Sequence, residues 1–426
     1  MQDTSPGRGI VFTIWLKVNN RMTTVKPQNE HINHFRPVTH RAEWVVVDQN
    51  TILQNGYVVV QDGLITGSGK GKKFSTDSVV DHGNGVILPG LVNAHTHLEL
   101  CALKNRVKPE NGFQAWVQKL LAERASLKPE TIQRESALGI EQLLSSGCIA
   151  AGDISTMGIT KDLFIHSPLL GIWFQECLGN DSDASPACRK GPRQSISLAG
   201  HAPHTTSPEL LRRLKAITSK GDLPFSIHLA ESQEEAVFIA NGEGEWADFL
   251  VERGIEFSSW GVGNSRTPVQ HADQIGLLDS NTIAVHVIQS NEKDFKILQE
   301  KGSSVCLCLR SNHLLHGELP DVPSMLKNRI HLCLGTDSLA SVDTLSIFDE
   351  MAFAANCFPE ISPADILAMA TQNGAKALGL DGLAGTLAPG ATGSFLYLEL
   401  SAGNEKQLME SIIHSAAQQT IQRIAA

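Results

Sequence analysis

Leu88-Pro89-Gly90-Leu91-Val92-Asn93-Ala94-His95-Thr96-His97 is an apolar run that closes on two histidines spaced i and i+2. Side chains alternate faces along a strand, so His95 and His97 are predicted to point the same way. Three later segments also end an apolar run on reactive side chains: Ile227-His228-Leu229-Ala230-Glu231-Ser232, Ala284-Val285-His286 and Leu334-Gly335-Thr336-Asp337-Ser338. Around them, strand-like runs at 86–94, 148–153, 169–176, 197–201, 224–230, 282–287, 303–308 and 330–336 alternate with longer helical patterns. Gln114–Ala125 and Ile132–Leu144 carry the i, i+3, i+4 apolar spacing of helices. Ser362-Pro363-Ala364-Asp365 opens another helix, with Ser362 as N-cap and Pro363 in the first turn. Eight strands separated by helices predict an α/β fold, a (β/α)8 TIM barrel. The reactive residues all fall at C-terminal strand ends, the face on which barrel active sites gather.

Outside the barrel, residues 1–40 are polar and irregular and are expected to form a poorly ordered extension. Met22 is an alternative start of translation. Trp44–Val47 and Gly56–Val60 flank the turn formers Asp48, Gln49 and Asn50, and Asp62-Gly63 starts a further turn. After Gly379 a Gly-rich stretch leads to a strand over Ser394–Leu400. The expected organisation is a barrel over 86–378 and a small β-sandwich domain assembled from 41–85 and 379–426. There is no internal repeat and no low-complexity segment.

A chain of 426 residues can bury a large core. The net charge of −10 leaves no basic footprint for nucleic acid. No apolar run reaches the roughly 18–20 residues of a membrane span. The short apolar stretch after Arg8 lacks a small-residue cleavage site, which argues against a signal peptide. Eight cysteines occur without a CxxC. Cys306 and Cys308 face the same way in a strand and read as reduced core thiols, with a disulfide or metal role as the alternative, so a cytoplasmic location is the default.

A lone histidine at a strand end is more often a satisfied core residue, but His95 and His97 come as a pair and are joined by His228 and Asp337. Buried carboxylates are rare unless paired or bound to metal. These four residues are therefore expected to hold one divalent metal. Three nitrogens and one oxygen suit Zn²⁺, with Fe²⁺ or Mn²⁺ as alternatives. Four protein ligands exceed the three of the usual catalytic zinc site, so one would bind loosely. No strand offers a bridging lysine for a second metal. Glu231, three positions after His228, can take a proton from the attacking water and pass it to substrate. The competing reading is a helix N-terminal acid, although Glu234 and Glu235 already serve there. His286 can orient the water with Asp337 and stabilise developing charge, or it is a core histidine.

At these residues the chain resembles the amidohydrolase superfamily, in the branch that holds cytosine, guanine and adenosine-type deaminases and triazine chlorohydrolases. The resemblance spans about residues 43–400. It rests on Pro89–His97, His228-Leu229-Ala230-Glu231 and Leu334–Ser338, with Gly385-Thr386-Leu387-Ala388-Pro389-Gly390 similar to that family's C-terminal strand pair. It implies His95, His97, His228 and Asp337 as ligands, Glu231 and His286 as proton-transfer partners, and Ser338 at the substrate. Ala202-Pro203-His204-Thr205-Thr206-Ser207-Pro208 resembles the segment whose histidine contacts substrate, which implies His204, with His201 as a competitor.

His97-Leu98-Glu99-Leu100, Phe113-Gln114-Ala115-Trp116-Val117, Arg310-Ser311-Asn312 and Asp337–Ser341 further resemble the aminodeoxyfutalosine deaminases of menaquinone biosynthesis. Their substrate is an adenine nucleoside carrying a benzoate. On that resemblance Arg310 would grip a substrate carboxylate or form a structural ion pair. Trp116 and Phe113 would wall a ring or pack a helix, and Glu99 would bind a ribose hydroxyl or face solvent. Leu309 replaces a common proline, and His313 and His316 depart from the pattern. The expected activity is metal-dependent hydrolytic deamination of an aminated N-heterocycle or adenine nucleoside. Chlorohydrolase or amide cleavage at the same site is the rival, and a non-catalytic binding protein on this barrel the remote one. The expected partner is a small molecule, with neither nucleic acid nor membrane, and the resemblance alone adds a homodimer.

Overall fold

The computed structural model describes residues 36–71, 78–110, 112–180, 187–415 and 421–424. Most of the expected N-terminal extension, including Met22, lies outside them. Eight parallel strands form the barrel sheet in sequential order: Leu91–Thr96, Cys148–Ser155, Leu170–Cys177, Gln194–Gly200, Phe225–Leu229, Thr282–His286, Ser304–Leu307 and His331–Leu334. Helices connect most of them, as the alternation of patterns predicts, with Phe113–Ser126 and Pro129–Ser145 between the first two strands. Inward side chains such as Val92, Ile172, Phe174, Val285, Cys306 and Cys333 make one buried interior layer. Cys308 belongs to the same layer as Cys306, and all eight cysteines are free.

The barrel closes between its first and last strands just below the reactive residues. Thr96 and Asp337 form an isolated parallel bridge. Asp337 and Thr336 both donate their backbone N–H to His95 O at 3.1 Å, and Thr96 Oγ1 donates to Asp337 O at 2.9 Å. Asn93 staples the seam from its side chain, donating to Thr336 Oγ1 at 2.7 Å and accepting from Thr336 N at 3.2 Å. Gly335 permits this approach, since a Cβ there would lie 2.8 Å from both His95 O and Cys306 Sγ. Residues more than 240 positions apart in sequence are thereby fixed against one another by backbone contacts.

The second sheet draws on both sides of the barrel sequence. Its seven strands run Ile421–Ile424, Phe395–Leu398, Val86–Pro89, Val38–Asp48, Thr51–Gln61 and Leu64–Lys70, with Ser78–Asp81 alongside Val38–Asp48. Val45, Val58, Val60, Ile65, Ile87 and Phe395 are among its buried residues.

Three expectations need adjustment. The run 86–94 is two strands: Val86–Pro89 pairs in the small sheet and Leu91–Thr96 in the barrel. Pro89 has no N–H to continue a ladder, and a Cβ on Gly90 would stand 2.3 Å from Ile149 Cγ2, so the chain changes sheets at Pro89-Gly90. Residues 38–40, assigned to the loose extension, are already in the first strand of the small sheet. The C-terminal segment also returns to the barrel, because the helix Glu405–Ser415 buries Leu408, Met409, Ile412 and Ile413 in the main core. No helix of the described residues is long and apolar enough to cross a membrane.

Candidate active site

His95 and His97 leave the first barrel strand on the same side, as the i, i+2 spacing predicts. His228 ends the fifth strand, His286 the sixth, and Asp337 follows the eighth. The His95 ring centroid lies 4.8 Å from that of His97 and 4.9 Å from that of His228. His97 Nε2 is 3.3 Å from His228 Nε2 and 3.5 Å from Asp337 Oδ1. His228 Nδ1 donates to His201 O at 2.8 Å, which fixes the tautomer and leaves Nε2 free toward the cluster. Ser311 and Ser341 hydroxyls donate to Asp337 Oδ2 at 2.6 and 3.0 Å, which leaves Oδ1 toward His97.

Both ring nitrogens of His95 are buried without a hydrogen-bond partner among the described residues. An orphaned imidazole costs free energy comparable to a lost hydrogen bond unless something else uses it. Ligand atoms of His95, His97 and His228 lie within 4.8 Å of one another. Burial, and then the neighbouring His97, His228 and His286, hold the His95 pKa well below the ordinary value, so the ring is a neutral donor at physiological pH. This donor set fits a divalent metal.

Glu231 sits one residue before Ser232, the N-cap of the helix Gln233–Asn241, whose first-turn acids are Glu234 and Glu235. It therefore stands outside the position of a helix-stabilising acid. Glu235 accepts from Ala230 N at 2.9 Å and Glu231 N at 2.8 Å, pinning the turn that carries Glu231. Glu231 Oε1 is 3.7 Å from His286 Nε2 and 3.2 Å from His316 Nε2. Burial alone would raise the Glu231 pKa, but His286, His316 and His228 outweigh it and keep the carboxyl ionised well below its usual range. His286 Nδ1 contacts Asn312 Oδ1 at 2.7 Å, which turns Nε2 into the site. Ala230, His286, Val287 and Asp337 all have positive φ, from 53° to 76°. Non-glycine residues there cost of order 1–3 kcal/mol each, and such strain concentrates at functional sites.

These groups open into a cavity of about 170 Å³. Phe113, Trp116, Leu120, Trp246 and Phe249 form an apolar wall above the polar floor. Phe113 and Trp116 stack at 5.9 Å, and the His204 ring lies 4.3 Å from Trp246.

A model of the amidohydrolase family matches residues 86–423, the barrel and both sides of its seam. The chain belongs to the amidohydrolase family. It is therefore a hydrolase acting on C–N bonds. It is 28% identical over 352 residues to the 5'-deoxyadenosine deaminase of Methanothrix thermoacetophila, covering 79% of this chain and 80% of that one. It is 29% identical over 397 residues to a 5-methylthioadenosine/S-adenosylhomocysteine deaminase of Nitratidesulfovibrio vulgaris, covering 85% and 84%. In fold it is similar to the Helicobacter pylori aminofutalosine deaminase, with a TM-score of 0.77 at 21% identity over 89% of this chain and 99% of that one.

Within this amidohydrolase, Trp116, His201, His204 and Ser338 line the cavity. Among the described residues, His204 Nδ1 and Ser338 Oγ are buried without hydrogen-bond partners, His204 Nδ1 lying 3.8 Å from Glu235 Oε2, while His201 Nδ1 is 2.6 Å from Thr205 Oγ1. Two expected substrate contacts are otherwise engaged. Arg310 is bound by Asp343, lies 3.9 Å from carboxylate oxygens of both Asp349 and Glu350, and donates to Thr344 Oγ1 at 3.2 Å. It is absent from the cavity wall, whose guanidinium is that of Arg124. Glu99 borders the cavity, but its carboxylate accepts from Ser155 Oγ and the N–H groups of Thr156, Met157 and Ile159 at 2.5–3.1 Å. Its carboxylate thereby ties down the turn after the second strand.

Sequence reasoning missed Glu176, near the end of the third strand, where Gln175-Glu176 follow the apolar run Leu170–Phe174. Its Oε1 is buried without a hydrogen-bond partner, 3.8 Å from His228 Nδ1, and its Oε2 accepts from Thr156 Oγ1 at 2.7 Å. A carboxylate closing an apolar run was the available signal.

Glu350 gives a testable pH effect. Burial first, and then Asp349, push its carboxyl up to about 8 despite Arg310. A raised carboxyl favours the protonated folded state. Its contribution is fully present below the unfolded pKa near 4.5 and is lost as pH rises through about 8. Glu350→Gln should therefore gain stability relative to the parent between about pH 5 and pH 8, read by urea unfolding. A stability difference that does not change with pH would contradict the assignment.

Proposed function

We propose that this amidohydrolase is a metal-dependent hydrolytic deaminase of adenosine-type nucleosides. The observation that carries the reading is the convergence of His95, His97, His228 and Asp337 with Glu231 and His286 at the floor of one aromatic-walled cavity. The activities named for the two curated relatives support the substrate class.

His95, His97, His228 and Asp337 would hold the metal, with Zn²⁺ the best match to three nitrogens and an oxygen. When bound, it supplies Lewis-acid activation of water. Glu231 accepts one proton of the attacking water and delivers it to the ring nitrogen beside the amine-bearing carbon. His286, aimed by Asn312, holds the incoming oxygen and passes the second proton to the departing amine. Water thus contributes its oxygen to the ring carbon, one proton to the ring nitrogen and one to ammonia. Glu176 Oε1, His204 and Ser338 remain to bind the nucleoside, and the apolar wall covers its 5' substituent.

The finer candidate substrate is aminodeoxyfutalosine. Because Arg310 is engaged, Arg124 is the cation placed to meet its carboxylate. The test is ammonia release by zinc-loaded protein from 5'-deoxyadenosine, methylthioadenosine, S-adenosylhomocysteine and aminodeoxyfutalosine, with guanine and cytosine as contrasts. Release from the adenine nucleosides alone is expected. Preference for aminodeoxyfutalosine that falls on Arg124→Leu would fix the finer assignment. No ammonia from any member, with metal bound, would remove the deaminase reading in favour of another leaving group.

A further inference from the structure

The helix Leu309–His316 follows the seventh barrel strand, and three of its side chains reach Asp337, His286 and Glu231. Ser311 Oγ donates to Asp337 Oδ2 at 2.6 Å, Asn312 Oδ1 meets His286 Nδ1 at 2.7 Å, and His316 Nε2 lies 3.2 Å from Glu231 Oε1. Asn312 and His316 are i and i+4, so they share one helix face. Gly317, at φ 66°, ends the helix immediately after His316 and accepts a left-handed conformation at no steric cost. The His316 side chain is 7% exposed, and its ring lies 4.6 Å from that of Phe113 in the cavity wall.

Among the described residues, two imidazoles lie within 4 Å of the Glu231 carboxylate, and both address the same oxygen, Oε1: His286 Nε2 at 3.7 Å and His316 Nε2 at 3.2 Å. Among the described residues no hydrogen bond reaches Oε2, and Glu231 borders the cavity. We propose that His316 is a positioning residue for Glu231, donating its Nε2–H to Oε1 so that Oε2 is the oxygen that carries the proton between water and substrate. The proposal rests on the deaminase reading for the role of Glu231. A carboxylate free to rotate would present either oxygen at varied distances from the ring nitrogen, and proton transfer tolerates little misplacement. The seventh strand and its helix thereby set the orientation of a residue on the fifth strand.

The test compares His316→Leu, His316→Gln and His316→Asn in zinc-loaded enzyme. The Gln amide nitrogen reaches the place of Nε2 and can donate, whereas the Asn amide falls short of Oε1. His316→Leu and His316→Asn should lose about 10- to 100-fold in kcat with KM within about twofold and full metal content, and His316→Gln should stay within about fivefold of the parent. If Leu fails to fold, Asn carries the comparison. The proposal is overturned if the non-donating variants keep the parental kcat, or if Gln falls as far as they do. If the parent enzyme itself releases no ammonia, the deaminase reading fails separately. A crystal structure of the metal-loaded His316→Asn variant then decides the positioning role: a rotated Glu231 carboxylate supports it, and an unmoved one overturns it.

Discussion

Replacing Glu231 by glutamine should lower kcat by about 10²- to 10⁴-fold while leaving metal content and fold unchanged. The amide keeps the shape and can still accept from His316, but it cannot take a proton from water or return one to a ring nitrogen. The residue is outside the cluster of nitrogens that would hold the metal, and its nearest side-chain partners are His286 and His316. Its backbone turn is held by Glu235, which the substitution leaves in place. Metal analysis together with steady-state kinetics separates the outcomes. Loss of metal would make Glu231 a ligand, and retained turnover would remove it from proton transfer.

The second large effect is expected at His95. Its two ring nitrogens are buried and have no hydrogen-bond partner among the described residues, so the residue contributes little as a hydrogen-bonding core side chain and much as a ligand. His95→Ala should abolish stoichiometric zinc binding and activity together. Zinc should stabilise the parent by about 2.7 kcal/mol at a hundredfold excess over its dissociation constant, because it binds the folded state preferentially. The variant should show no such rise in Tm. A variant that still binds one zinc per chain with parental stabilisation would move the metal site away from this cluster.

Much of the fold was legible because its reactive residues punctuate apolar strands. His95 and His97 end the first strand, and Asp337 follows the eighth, so the barrel hypothesis alone places them at one seam. The structure then closes that seam through Thr96, Asn93 and Thr336. The change of sheet at Pro89-Gly90 was read through as one strand, although Pro89 cannot continue a ladder; the close approach of Ile149 to Gly90, which requires the glycine, is visible only in three dimensions.

The engagements of Arg310, Glu99 and His316 that the sequence did not reveal share a cause. Arg310 looked available because Asp343, Asp349 and Glu350 lie 33 to 40 positions later, and nothing local says that they fold back onto it. Glu99 looked like a substrate contact because its partners are mostly backbone N–H groups of the turn 156–159, which carry no sequence signal. His316 stood out as a departure from the family pattern, but its partner, 85 positions earlier, was visible only in three dimensions. Ligand identity is local in sequence, whereas the engagement of a charged group depends on what tertiary structure brings to it.

The most direct measurement of the central claim is mass spectrometry of 5'-deoxyadenosine after incubation with zinc-loaded enzyme in ¹⁸O-labelled water. Hydrolytic deamination predicts one ¹⁸O on the purine ring and one ammonia released per nucleoside converted, with the glycosidic bond intact. An unlabelled, unchanged purine, or label on a released ribose, would contradict it.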